Sequence, residues 1–142
     1  MNRENIKQAT VKTLNNIKLV VPIILGILLL VGLIDAAIPK NFYQQIFTNY
    51  PLLDSLIGAT LGSILAGNPI TSYIIGGELL DQGVSLIAVT AFLLGWVTVG
   101  VIQLPAESLM LGKRFAIVRN LISFILAIIV AILTVFTLEL IK

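Results

Sequence analysis

The sequence predicts an all-α integral membrane protein built from three transmembrane helices, a re-entrant or broken helical hairpin and a short interfacial helix. Three observations predict it. The 142 residues are 58% hydrophobic and 11% charged, with a mean hydropathy of +1.05, whereas about a quarter of a soluble domain is charged. The apolar residues gather in runs long enough for helices that cross lipid. One such run, 52–80, is cut by Gly67-Asn68-Pro69. Proline lacks the backbone donor and clashes with the preceding turn, so an ordinary helix does not pass through it.

The elements follow in order. Residues 1–18 carry Arg3, Lys7, Lys12 and Lys18, with Ile6, Leu14 and Ile17 at helical spacing. This suits an amphipathic segment lying on the membrane surface, and a solvated tail is the plainer reading. The first span covers 19–34, opening near Pro22, where proline is tolerated in a first turn. It ends at Asp35, without a small-residue cleavage site, and reads as a retained anchor. Over 39–50, Phe42, Ile46, Phe47 and Tyr50 form a ring-rich apolar stripe suited to an interfacial helix, because an aromatic ring is apolar and its tip wet. Asp35 and Asp54 flank that helix and read as interfacial.

The broken segment 52–80 has arms of fifteen residues (52–66) and eleven (70–80). They reach roughly 22 and 16 Å, each short of a hydrocarbon core of about 30 Å. Residues 84–104 read as the second full span, ending at Pro105, and 121–138 as the third, rich in Leu, Ile and Val. The loop between them, 106–119, carries Glu107, Lys113, Arg114 and Arg119, and Pro105 to Leu111 can form a short helix in it. No linker divides the chain, so 1–142 is a single membrane domain.

Short loops rich in lysine and arginine stay cytoplasmic, which separates the two readings of 52–80. A single crossing puts five bases on one side and four on the other. A re-entrant hairpin puts the seven bases of the N-terminus and late loop together, against Lys40 and Lys142 opposite. The hairpin is therefore expected, in a multi-pass protein of the cell (inner) membrane with a cytoplasmic N-terminus.

The net charge is only +2, and the bases sit at helix ends, so the lipid bilayer and not nucleic acid is the expected partner. The chain has no cysteine and no histidine, which removes thiolate and imidazole ligands and the usual near-neutral base. No metal and no cofactor are expected. The membrane segments hold no serine with a basic partner and no aspartate pair, so an enzyme is not expected either.

Chemistry is concentrated at the break. Each helix end strands about four backbone groups, and in lipid these need protein, water or a ligand. Asn68 can cap the second arm, with Pro69 as its first residue. Gly67, Asn68, Pro69, Thr71 and Ser72, with Ser63, Thr98 and Gln103, are the residues expected to contact a solute. The alternative is a structural kink packed within the bundle. Glu78 and Glu107 are the candidates for proton coupling. Each has a plainer role, Glu78 in reaching the interface and Glu107 in compensating a helix dipole. Gly58 and Gly62 form a small-residue face of the kind that seats one helix closely on another.

Residues 58–115 resemble the predicted-permease family that contains the organoarsenical efflux permeases, in a half-length version. Gly62-Ser63, Gly67-Asn68-Pro69, Gly77-Glu78-Leu79-Leu80, Gly83 and Pro105-Ala106-Glu107 carry the likeness. It implies export of a small solute by a protein of two related halves, hence a homodimer or a second half-permease as partner. The chain departs from an arsenical-binding pattern in having no cysteine for a thiolate site. A non-transporting membrane subunit that scaffolds or regulates a larger transporter complex is the alternative.

Overall fold

The computed structural model describes residues 3–37, 46–48, 50–65 and 68–141, the side chains of 3–6, 23, 27, 30, 31, 34, 35 and 37 excepted. All regular structure among them is helical. In chain order the helices are α1 (Arg3–Ala37), α2 (Pro51–Ile64), α3 (Pro69–Asp81), α4 (Leu86–Thr98), α5 (Leu104–Leu111) and α6 (Lys113–Ile141). They fall into two compact units, 1–37 and 38–142.

The first unit is α1 alone, and it corrects the division at Pro22. That proline lies inside one continuous helix, so the surface segment 1–18 and the span 19–34 are not separate elements. Stopping and restarting a helix needs a new nucleus and strands backbone groups at two further ends, which outweighs the single bond that an interior proline removes.

The second unit is organised around α4, against which α2, α3 and α6 all pack. Glycines set the closest approach. A methyl group at Gly58 would overlap the carbonyl oxygen of Ala88, and one at Gly62 would overlap that of Phe92. Four residues along α2 match four along α4, so these two helices run parallel. The Gly58/Gly62 face thus seats α2 on the expected second span. From the other side, a Cβ at Gly95 would come within 2.6 Å of the Ala59 carbonyl oxygen.

Leu79 of α3 packs against the cluster of Phe47, Val84, Ala88 and Val89, while Gly76 faces Val89 and Leu93. Helix α3 therefore runs back along α4. The chain reverses between α2 and α3, and α4, not the opposite arm, is the main partner of each. Helix α6 is also antiparallel to α4: Gly100 bonds Asn120, and Ala91 packs with Ala131 and Ala59. Three alanines at that contact let the backbones close up, and the large side chains of α6, Leu121, Ile125, Ile129 and Leu133 among them, point outward and are exposed.

Two span boundaries change. The expected span 84–104 is not one helix. Helix α4 stops at Thr98, Val99 is extended, and 101–103 form a turn before α5. The physical reason lies outside the local sequence: the Asn120 side chain accepts the Gly100 N–H at 2.8 Å, a bond that replaces the next intrahelical one. The remaining 13 residues reach about 20 Å. The helix that holds the expected third span begins at Lys113 and not at 121, so much of the expected loop 106–119 is helical. Helix α6, 29 residues long, is the one helix among the described residues that is long and apolar enough to cross a membrane. Most of the expected interfacial helix 39–50 lies outside the described residues. Of its stripe, Phe47 is buried in the α4 cluster and Tyr50 is exposed.

Candidate functional site

The break has the local chemistry its residues specify. Asn68 is extended (φ −68°, ψ 138°), Pro69 opens α3, and the Asn68 side chain accepts the Ile70 N–H at 3.0 Å. The Thr71 N–H reaches the Asn68 carbonyl at 2.9 Å, and the Ser72 hydroxyl, fully buried, donates to the Pro69 carbonyl at 2.7 Å. Gly67 lies outside the described residues. Asn68, Pro69, Thr71 and Ser72 thus act on their own helix, and none of them lines the cavity described next.

That cavity, about 40 Å³, lies where α2 and α4 end side by side; Ser63, Thr98, Gly100, Gln103 and Arg119 are among its lining residues. Two parallel helices bring their carboxyl ends together here, each with its last carbonyls beyond intrahelical reach and the negative end of its dipole. The Ser63 hydroxyl donates to the Thr60 carbonyl at 2.8 Å, and that of Thr98 donates to the Leu94 carbonyl at 2.6 Å. Their hydrogens are committed, so both present oxygen lone pairs to the cavity. The lining is therefore rich in acceptors, and the Arg119 guanidinium is its cationic counterpart. Ser63, Thr98 and Gln103, separated by up to forty residues in sequence, are brought together.

Behind the cavity stands a network the sequence reading did not anticipate. The Asn120 amide, 5% exposed, accepts from Gly100 N–H and donates to Glu107 Oε2 and to the Ala116 carbonyl, both at 3.0 Å. The other Glu107 oxygen pairs with Arg119. Glu107 lies in the first turn of α5, where the helix dipole favours an acid, and it also ties α5 to α6. The signal that could have found this network was Asn120 itself, an amide between Arg119 and the apolar run 121–138.

The two carboxylates singled out for coupling sit at opposite ends of the bundle. Glu107 adjoins the cavity through Arg119. Glu78, half-buried, accepts from Gln82 Nε2 at 2.9 Å near the start of α4.

Asp54, expected at the interface, is instead fully buried. Its Oδ1 accepts from Thr48 N–H at 2.9 Å and Thr48 Oγ1 at 3.4 Å, and its Oδ2 from Ser85 Oγ at 2.9 Å. Ser85 also caps α4, accepting the Ala88 N–H at 3.3 Å. The carboxylate thus lies in the first turn of α2 and beside the first turn of α4, two positive helix ends that offset its charge in place of a basic side chain. Pro51 opening a helix with an acid three residues later is a helix-start signature, and it was the available clue. Among the described residues no three acids gather as a metal site.

No protein-family model, curated protein or solved structure matches this chain.

Proposed function

We propose that this chain is a half-size membrane permease that passes a small polar solute at a site completed by a second copy. The observation that carries this reading is the meeting of the carboxyl ends of α2 and α4 on a polar cavity beside a chain reversal. Short, broken helices of this kind are how membrane transporters expose backbone to a substrate near mid-membrane.

Under this reading α6 and the apolar part of α1 (19–34) cross the bilayer. Helices α2, α3 and α4, 14, 13 and 13 residues long, reach about 20 Å each and enter it without crossing alone. The base-rich N-terminus and the 106–119 region are cytoplasmic. One copy provides half a site, because 40 Å³ has room for little more than a water or two. The acceptor-rich lining favours a solute that donates hydrogen bonds. Of the two acids, Glu107 is the coupling group, since it shares Arg119 with the cavity. The resemblance to the predicted-permease family implies export by two related halves, in line with a homodimer.

The test is efflux of methylammonium and of glycerol from proteoliposomes under a pH gradient. Flux of either that falls at least severalfold in Thr98→Val, and loses its response to the gradient in Glu107→Gln, is the expected result. A dimer that passes neither overturns the reading in favour of a non-transporting subunit, to which the tight α2–α4 contact is equally suited.

A further inference from the structure

We propose that the corner where α5 passes into α6 is a docking surface for the anionic phospholipid headgroups of the leaflet beside it, which rests on the membrane reading above. The two most exposed large apolar side chains among the described residues are here, Leu109 at 88% and Met110 at 84%, and Leu111 and Phe115, next along the chain, are exposed as well. Lys113 and Arg114, both exposed, sit between them, and the one ion pair among the described residues is elsewhere, Arg119 with Glu107. Residues 107–119 hold three bases and one acid, a local charge equal to the net +2 of the entire chain.

The surface is held in place. Glu107 binds Asn120 and Arg119, the Ser108 hydroxyl bonds the Leu104 carbonyl, and Gly112 makes the turn at φ +92°, a conformation that suits glycine. The two bases also stand at the positive end of α6, where the helix dipole disfavours them. Their placement is explained by a partner outside the chain. An apolar turn that enters the acyl boundary, edged by two cations at headgroup level, fits an anionic lipid surface.

A second copy of the chain fits poorly, because the acids at Asp54, Glu78 and Glu107 are already engaged within the chain. Asp54 is buried, Glu107 is paired, Glu78 is bonded to Gln82, and the others are scattered from position 4 to 139.

The experiment uses the full chain, free of native cysteine, with Met110→Cys carrying a fluorophore. It is placed in vesicles of phosphatidylcholine with either brominated phosphatidylglycerol or brominated phosphatidylcholine as quencher. Quenching several-fold stronger by the brominated anionic lipid, lost when Lys113→Gln and Arg114→Gln are added, is expected. Equal quenching by the two lipids, or a preference that survives the two substitutions, overturns the proposal. So does fluorophore self-quenching between copies in place of lipid quenching. Alkaline carbonate extraction tests the membrane reading separately. A chain that is extracted, yet pellets with phosphatidylglycerol vesicles and not with phosphatidylcholine, keeps the docking surface and removes the spanning helices.

Discussion

At the scale of single residues, the second unit depends on positions where a side chain has no room or a polar atom has one partner. Gly62→Val drives a branched side chain into the Phe92 carbonyl, which is backbone and cannot swing aside. A loss of about 3 kcal/mol or more is expected, read as a lowered thermal midpoint in detergent. Gly77→Ala is the control: nothing lies within 4 Å of the added methyl, and helix propensity favours alanine by up to about 1 kcal/mol, so its midpoint should hold or rise. Asn120→Leu leaves the half-buried Gly100 N–H without its acceptor and should cost about 1 kcal/mol or more. Asp54→Ala should cost about 2–3 kcal/mol, because Thr48 and Ser85 lose a charged acceptor, and Asp54→Asn should cost less, since one oxygen remains. The glycine face was legible in the sequence as a spacing of four. Asp54 and Asn120 were not, because a lone acid or amide near a helix end reads as solvated until its neighbours are known.

At the scale of elements, the starts of three helices were legible, whereas the start of α6 at Lys113 and the end of α4 were not. Pro51, Asn68-Pro69 and Pro105 mark the openings of α2, α3 and α5, because proline fits a first turn, where its missing N–H removes no intrahelical bond. The Asn68 cap is local, so Asn68→Ala should cost about 1 kcal/mol, measured by unfolding in detergent, with assembly unchanged. The end of α4 at Thr98 has no such mark. It is set by a side chain twenty residues later, and removing that side chain should let α4 lengthen, seen as faster hydrogen exchange at 104–108 with slower exchange at 99–101. The run 84–104 looks continuous in sequence because hydropathy averages over the Gly100 bond.

At the scale of the whole second unit, opposite charges stand at opposite ends of two parallel helices. Asp54 meets the positive ends of α2 and α4, and Arg119 lies beside their negative ends. The reversal at the break follows from the same arrangement, since it brings the start of α2 next to the start of α4. Cysteines introduced one at a time at Tyr50 and Asp81 should therefore be labelled from one side of the bilayer, and one at Leu111 from the other. Labelling of Tyr50→Cys and Asp81→Cys from opposite sides would show that 52–80 crosses once.

The sequence by itself determined that the chain is helical and strongly apolar, where it breaks and which glycines lie on one face, because these depend on residues within a turn or two of one another. Only the tertiary structure decided that Asp54 is buried, that α4 ends early and that Ser63, Thr98, Gln103 and Arg119 share a cavity. Each of these rests in part on contacts between residues some twenty to sixty positions apart, and helical periodicity carries no information about which distant turns will meet.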